Sequence, residues 1–141
     1  MEVNSNMDHT VVHFEIPANN VEKLRKFYEN VLDWKITKAP MQGVDYWLIY
    51  TVPTDEKGML QRQGVNGGLY PRTSGMQGAP QVNYISVENI DQYTDKVTKE
   101  GGKIIVPKNQ IPTVGWFAIA ADPEGNTFGL LQPEMPPPKP Q

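Results

Sequence analysis

The chain has 141 residues, a net charge of −3 and no cysteine, with 38% hydrophobic and 21% charged residues, which suits one globular domain with a single core. The acidic balance excludes the basic surface that nucleic acid or an anionic membrane rewards, and the missing thiols exclude disulfides and thiolate metal sites. No apolar run nears the roughly 20 residues that cross a bilayer, and residues 1–8 lack the basic and apolar regions of a secretory signal, so a cytoplasmic protein is expected.

Residues 10–17 alternate as a strand, with Phe14 and Ile16 on one face and His13 and Glu15 on the other. Asn20 is placed to cap a helix whose apolar residues Val21, Leu24, Phe27, Tyr28, Val31 and Leu32 recur at helical spacing. A short strand is predicted at 34–37 and a longer one at 45–52, stopped by Pro53, and 54–62 reads as a loop. A glycine-heavy strand at 64–70 closes the first half, and 71–80 reads as a linker.

The pattern then restarts. Val82, Tyr84 and Ser86 share one face of a strand at 81–87, and Asn89 caps a second helix that stops at Gly101-Gly102. Strands follow at 103–106, 115–121 and 127–132, the last two joined by the turn Asp122-Pro-Glu-Gly-Asn. Residues 133–141 are proline-rich and read as a solvated tail. Each half is thus β-α-β-β-β, and aligning the caps Asn20 and Asn89 pairs His13 with Val82. A duplicated α+β module is the consequence, with modules at 9–70 and 81–132.

His-Phe-Glu-Ile-Pro-x-Asn-Asn at 13–20, Phe-Tyr-Glu-Asn-Val-Leu-Asp-Trp at 27–34 and Asp-Pro-Glu-Gly-Asn at 122–126 together resemble the vicinal-oxygen-chelate superfamily, the group of glyoxalase I, bleomycin-resistance proteins and extradiol dioxygenases. The resemblance spans roughly 9–132. The segments Gly67-Gly68-Leu-Tyr-Pro and Ile111-Pro-Thr-Val-Gly-Trp look most like its small glyoxalase-like members. It implies two βαβββ modules curling around a shared cavity, and a homodimer.

In the metal-using members, four strand positions each supply a His, Gln or Glu ligand. By resemblance those positions fall here on His13, Val82, Gly67/Gly68 and Gly129. One donor in four does not hold a divalent metal tightly, so no metal and no other cofactor is expected. Losing Glu at position 129 also removes the usual base of the glyoxalase mechanism. His13 then reads either as a polar anchor or acid/base in a pocket, or as a relic histidine hydrogen-bonded inside the cavity. His9 reads as a surface residue.

Aromatic strands commonly line pockets for small organic molecules. Tyr84 falls on the concave face with Val82, the hydroxyls of Ser86 and Thr127 fall there too, and Trp116 is placed with them; Tyr46 and Trp47 cannot be told apart. The glycines at 67, 68 and 129 serve either as bends or as room for a ligand body. The expected ligand-binding set is His13, Glu15, Tyr84, Ser86, Trp116 and Thr127. Two functions follow: metal-free binding of a small organic molecule between the modules, or a metal-dependent lyase, isomerase or dioxygenase with an altered metal site. A third reading is a fold whose ancestral site has decayed.

Overall fold

The computed structural model describes residues 7–40, 43, 45–72, 80–111 and 115–134. The chain divides into two compact units, one of His13–Val82 and one of Asn83–Gln141 together with Met1–Val12.

The first unit holds β1 (Val11–Ala18) from His13 onward, α1 (Val21–Leu32), β2 (Lys35–Lys38), β3 (Trp47–Tyr50) and β4 (Asn66–Pro71). Their order in the sheet is β2-β3-β4-β1, with β1 and β4 parallel and the other pairs antiparallel. Asn20 caps α1 as expected, its side chain accepting from the Lys23 amide at 3.1 Å. Val21, Leu24 and Tyr28 pack onto a core of Ile16, Ala18, Ile36, Ile49 and Leu69. Phe27, Val31 and Leu32, expected on the same stripe, stay exposed.

The second unit repeats the plan with β5 (Val82–Ser86), α2 (Ile90–Lys99), β6 (Lys103–Ile111), β7 (Gly115–Ala121) and β8 (Thr127–Pro133), in the order β5-β8-β7-β6. Asn89 caps α2 through the Gln92 amide, and the helix packs through Ile90, Tyr93 and Val97 on a core with Val87, Ala118 and Leu130. The 122–126 turn is tied by Asp122, which accepts from the Glu124 and Asn126 amides at 2.9 Å each, while Gly125 takes φ 89°.

Both units are therefore βαβββ, and the α+β expectation holds. β6 runs to Ile111 rather than stopping at 106. Pro107 lies within a register shift between Val106 and Asn109 on the edge strand, where a missing N–H costs no ladder bond. Residues 73–79 of the linker and 135–141 of the tail lie outside the described residues. Among the described residues no helix is long and apolar enough to cross a membrane.

Candidate functional site

In the first unit, alternation along β1 sends Phe14 to the helix side and His13 and Glu15 to the opposite face. The parallel register sets Glu15 beside Gly68 and His13 beside Asn66, and the antiparallel register sets Leu48 opposite Gly68. Tyr46, two residues before Leu48, belongs to the same face, whereas Trp47 packs with Ile49 in the helix-side core. That settles the pair that alternation alone left open.

A Cβ added at Gly68 would fall on the Tyr46 hydroxyl, so the glycine is what lets the phenol lie there. The hydroxyl is 2.9 Å from His13 Nε2 and donates to Glu15 Oε2 at 2.9 Å. Because the phenol's single proton goes to Glu15, His13 donates from Nε2 to the phenol oxygen, which assigns the Nε2–H tautomer. The three side chains form one short chain, imidazole to phenol to carboxylate, with His13 20% and Glu15 13% exposed.

Burial pushes the His13 imidazole down to about 4. Glu15 Oε2 stands 4.0 Å from Nε2, yet desolvation outweighs that carboxylate and the ring is neutral at physiological pH. Burial, and then the charge of Glu15, raise the Tyr70 phenol above its usual range. Tyr70 is in phase with Gly68 on β4, so it shares the face.

The second unit has the same frame with different chemistry. The offset that aligns Asn20 with Asn89 aligns His13 with Val82 and Glu15 with Tyr84. Gly129 pairs with Tyr84 as Gly68 pairs with Glu15, and Ile119 pairs with Gly129 as Leu48 does with Gly68. Counting back two residues equates Tyr46 with Phe117. The His13–Tyr46–Glu15 chain of one unit thus corresponds to Val82, Phe117 and Tyr84 of the other. Tyr84 is buried to 2% exposure, meets Phe117 edge to face at 6.3 Å, and lies where a Cβ at Gly129 would be. At positions 68 and 129, then, the room left by a missing side chain is filled by the chain's own tyrosines.

The other expected residues separate. Ser86 is buried, its hydroxyl donating to Met7 Sδ at 3.1 Å. Thr127 is partly buried, in phase with Gly129 on β8. Trp116, expected among the ligand-facing side chains, packs instead on the helix side with the core of the second unit, because it is in phase with Ala118 and not with Phe117; Lys108 Nζ caps its ring at 4.5 Å. His9 is exposed, as expected, and its Nε2 is 3.2 Å from Glu88 Oε2 and 3.0 Å from the Tyr93 hydroxyl.

Of the four strand positions that would carry ligands, His13 alone bears one, and its Nε2 is committed to Tyr46. Among the described residues no cluster of three or more His, Cys, Asp or Glu side chains could hold an ion.

Residues 10–130 match the family model described as Glyoxalase/Bleomycin resistance protein/Dioxygenase superfamily. The chain is 31% identical over 123 residues to a glyoxylase-like domain-containing protein of Didymella fabae, covering 82% of this chain and 88% of that protein. It is 35% identical over 121 residues to a Mycobacterium bovis protein called "Putative glyoxylase CFP32", covering 84% of this chain but 43% of that protein, so it spans less than half of that relative. Among solved structures, methylmalonyl-CoA epimerase from Mycobacterium tuberculosis superposes with a TM-score of 0.65 at 11% identity, covering 96% of this chain and 94% of that one, a likeness of fold alone.

Proposed function

Because this chain belongs to the glyoxalase/bleomycin resistance protein/dioxygenase superfamily, we propose that it binds a small organic molecule without a metal, on the strand face where His13, Tyr46 and Glu15 meet. One observation carries this reading. The Tyr46 hydroxyl stands between imidazole and carboxylate in the space that Gly68 leaves, so a phenol takes the place that a metal-binding side chain on β4 would need. A half-buried hydroxyl held by two polar partners is pre-oriented to exchange one of them for a carbonyl or hydroxyl oxygen of a ligand. Tyr70 and Leu48 on the same face supply apolar wall.

The alternative, a metal-dependent lyase, isomerase or dioxygenase, needs ligands where the chain has Val82, Gly68 and Gly129. A thermal-shift screen of uncharged aromatic and carbonyl compounds tests the proposal, since a ligand of the native state raises apparent stability. A compound that raises Tm by several degrees in the wild type and at least tenfold less tightly binds Tyr46→Phe supports it. Purified protein carrying stoichiometric nickel, zinc or iron that is lost in His13→Ala overturns it.

A further inference from the structure

Tyr46 reaches His13 and Glu15 only when β3 lies in one register against β4, and the usual devices that fix register are weak there. The β3–β4 ladder consists of Trp47–Leu69, Leu48–Gly68 and Ile49–Gly67, so Leu48 and Ile49 each face a glycine and have no cross-strand side chain to interlock with. In the second unit the equivalent ladder runs from Gly115–Pro133 to Ala121–Thr127 and is closed by the tight 122–126 turn. The first unit instead joins β3 to β4 through residues 51–65.

The tip of that connection has a register of its own. Thr54 bridges Leu60, the Asp55 amide donates to the Met59 carbonyl at 2.8 Å, and the Gln61 amide donates to the Pro53 carbonyl at 3.0 Å. Continued into β3, this pairing would set Leu48 opposite Asn66 and Trp47 opposite Gly67, two residues from where they stand. Such a shift keeps Trp47 and Ile49 on the helix side, so the apolar pattern does not choose between the two registers. It would carry Tyr46 about 7 Å along the sheet, at roughly 3.3 Å per residue, away from His13 and Glu15.

The mismatch is resolved at Asn66, the residue paired with His13 across β1 and β4. Its Oδ1 accepts from the Thr51 amide at 2.7 Å and the Val52 amide at 3.0 Å, and its Nδ2 donates to the Val52 carbonyl at 3.2 Å. The Thr51 hydroxyl adds a bond to the Val65 carbonyl at 2.5 Å. One carboxamide thus satisfies backbone groups of two consecutive residues just past β3. In the shifted register Thr51 would stand opposite Gln63, beyond the reach of so short a side chain.

We infer that Asn66 is the positioning residue of the His13–Tyr46–Glu15 face: its side-chain amide holds β3 in the register that brings the Tyr46 hydroxyl to His13 and Glu15. The inference rests on the reading of that face as the site, but it concerns the protein without ligand, so a failed ligand screen and a failed register test are separate results.

The test is NMR of the ligand-free full chain. Wild type is compared with Asn66→Leu, of similar size but without the hydrogen bonds, and with Asn20→Ala, which weakens the same unit at its helix cap. Wild type and Asn20→Ala should show NOEs between the Tyr46 and His13 rings and between Leu48 and Gly68. Asn66→Leu should lose both while keeping the Phe14–Trp34 ring NOE of the helix-side core. Retention of the first two NOEs in Asn66→Leu, or their loss in Asn20→Ala as well, overturns the assignment. If Asn66→Leu does not fold, amide exchange in the wild type decides. The Thr51 and Val52 amides should exchange within about tenfold of the β3 ladder amides, and faster exchange shows that the clip opens without releasing β3 and overturns the assignment.

Discussion

Tyr46 and Gly68 form a couple in which each residue depends on the other. Gly68→Ala would drive a methyl group into the phenol and should cost about 1–3 kcal/mol in denaturant unfolding. Combining it with Tyr46→Ala should cost less than the two single changes together, since the clash is then gone; strict additivity would show that the two do not touch. Gly129→Ala should behave likewise against Tyr84. His13 makes a second prediction, about pH. The folded state keeps the imidazole neutral down to about 4, whereas the unfolded chain protonates it near 6.5. Between those values the unfolded state binds more protons. Stability is therefore fully present above about pH 6.5 and falls as pH drops through that window, by roughly 3 kcal/mol at most. Urea midpoints measured from pH 7 to pH 4 should show this slope, and His13→Gln should flatten it. An unchanged slope in that variant would assign the acid sensitivity to the carboxylates. His13 was legible as a candidate because it is a lone imidazole on a short alternating strand. Tyr46 was not, because Leu48 breaks the polar-apolar alternation of Tyr46–Tyr50 and hides which face is which.

At the scale of elements, local chemistry was readable where it is self-contained. Asn20 and Asn89 cap the two helices through their own third-residue amides, and nothing distant enters. Asn20→Ala and Asn89→Ala should each lower stability by about 1 kcal/mol, read as a drop in Tm; no change in either would mean that solvent satisfies those amides equally well. The Asp122 turn was legible for the same reason, its carboxylate held below the usual range by hydrogen bonds from Asn126, Glu124 and Gly125. β6 was cut short at 106 because proline ends a strand in general. It does not end an edge strand at a register shift, and edge position belongs to the sheet. Helix α1 shows the converse error: its periodicity gives the apolar arc of Val21, Leu24, Phe27, Tyr28, Val31 and Leu32, but only packing decides which of them are covered.

Across the whole chain, two copies of one module carry unequal chemistry, with the polar chain of His13, Tyr46 and Glu15 in one and Val82, Phe117 and Tyr84 in the other. Of the four positions that the family resemblance marks for metal ligands, the sequence carries a donor at His13 alone. Dialysis against EDTA should leave Tm within about 1 °C, and adding back nickel or zinc should not raise it; a rise of several degrees would mean that a metal stabilises the native state. The sequence by itself determined the repeat, the helix caps and the βαβββ order, because these rest on residue type and on spacing within a few residues. Only the tertiary structure decided that Tyr46 joins His13 to Glu15, that Trp116 faces the helix, and that tyrosines fill the spaces at Gly68 and Gly129. Those facts depend on strand register, and register is fixed by pairing between segments far apart in the chain, where a shift of one residue turns every side chain to the other face.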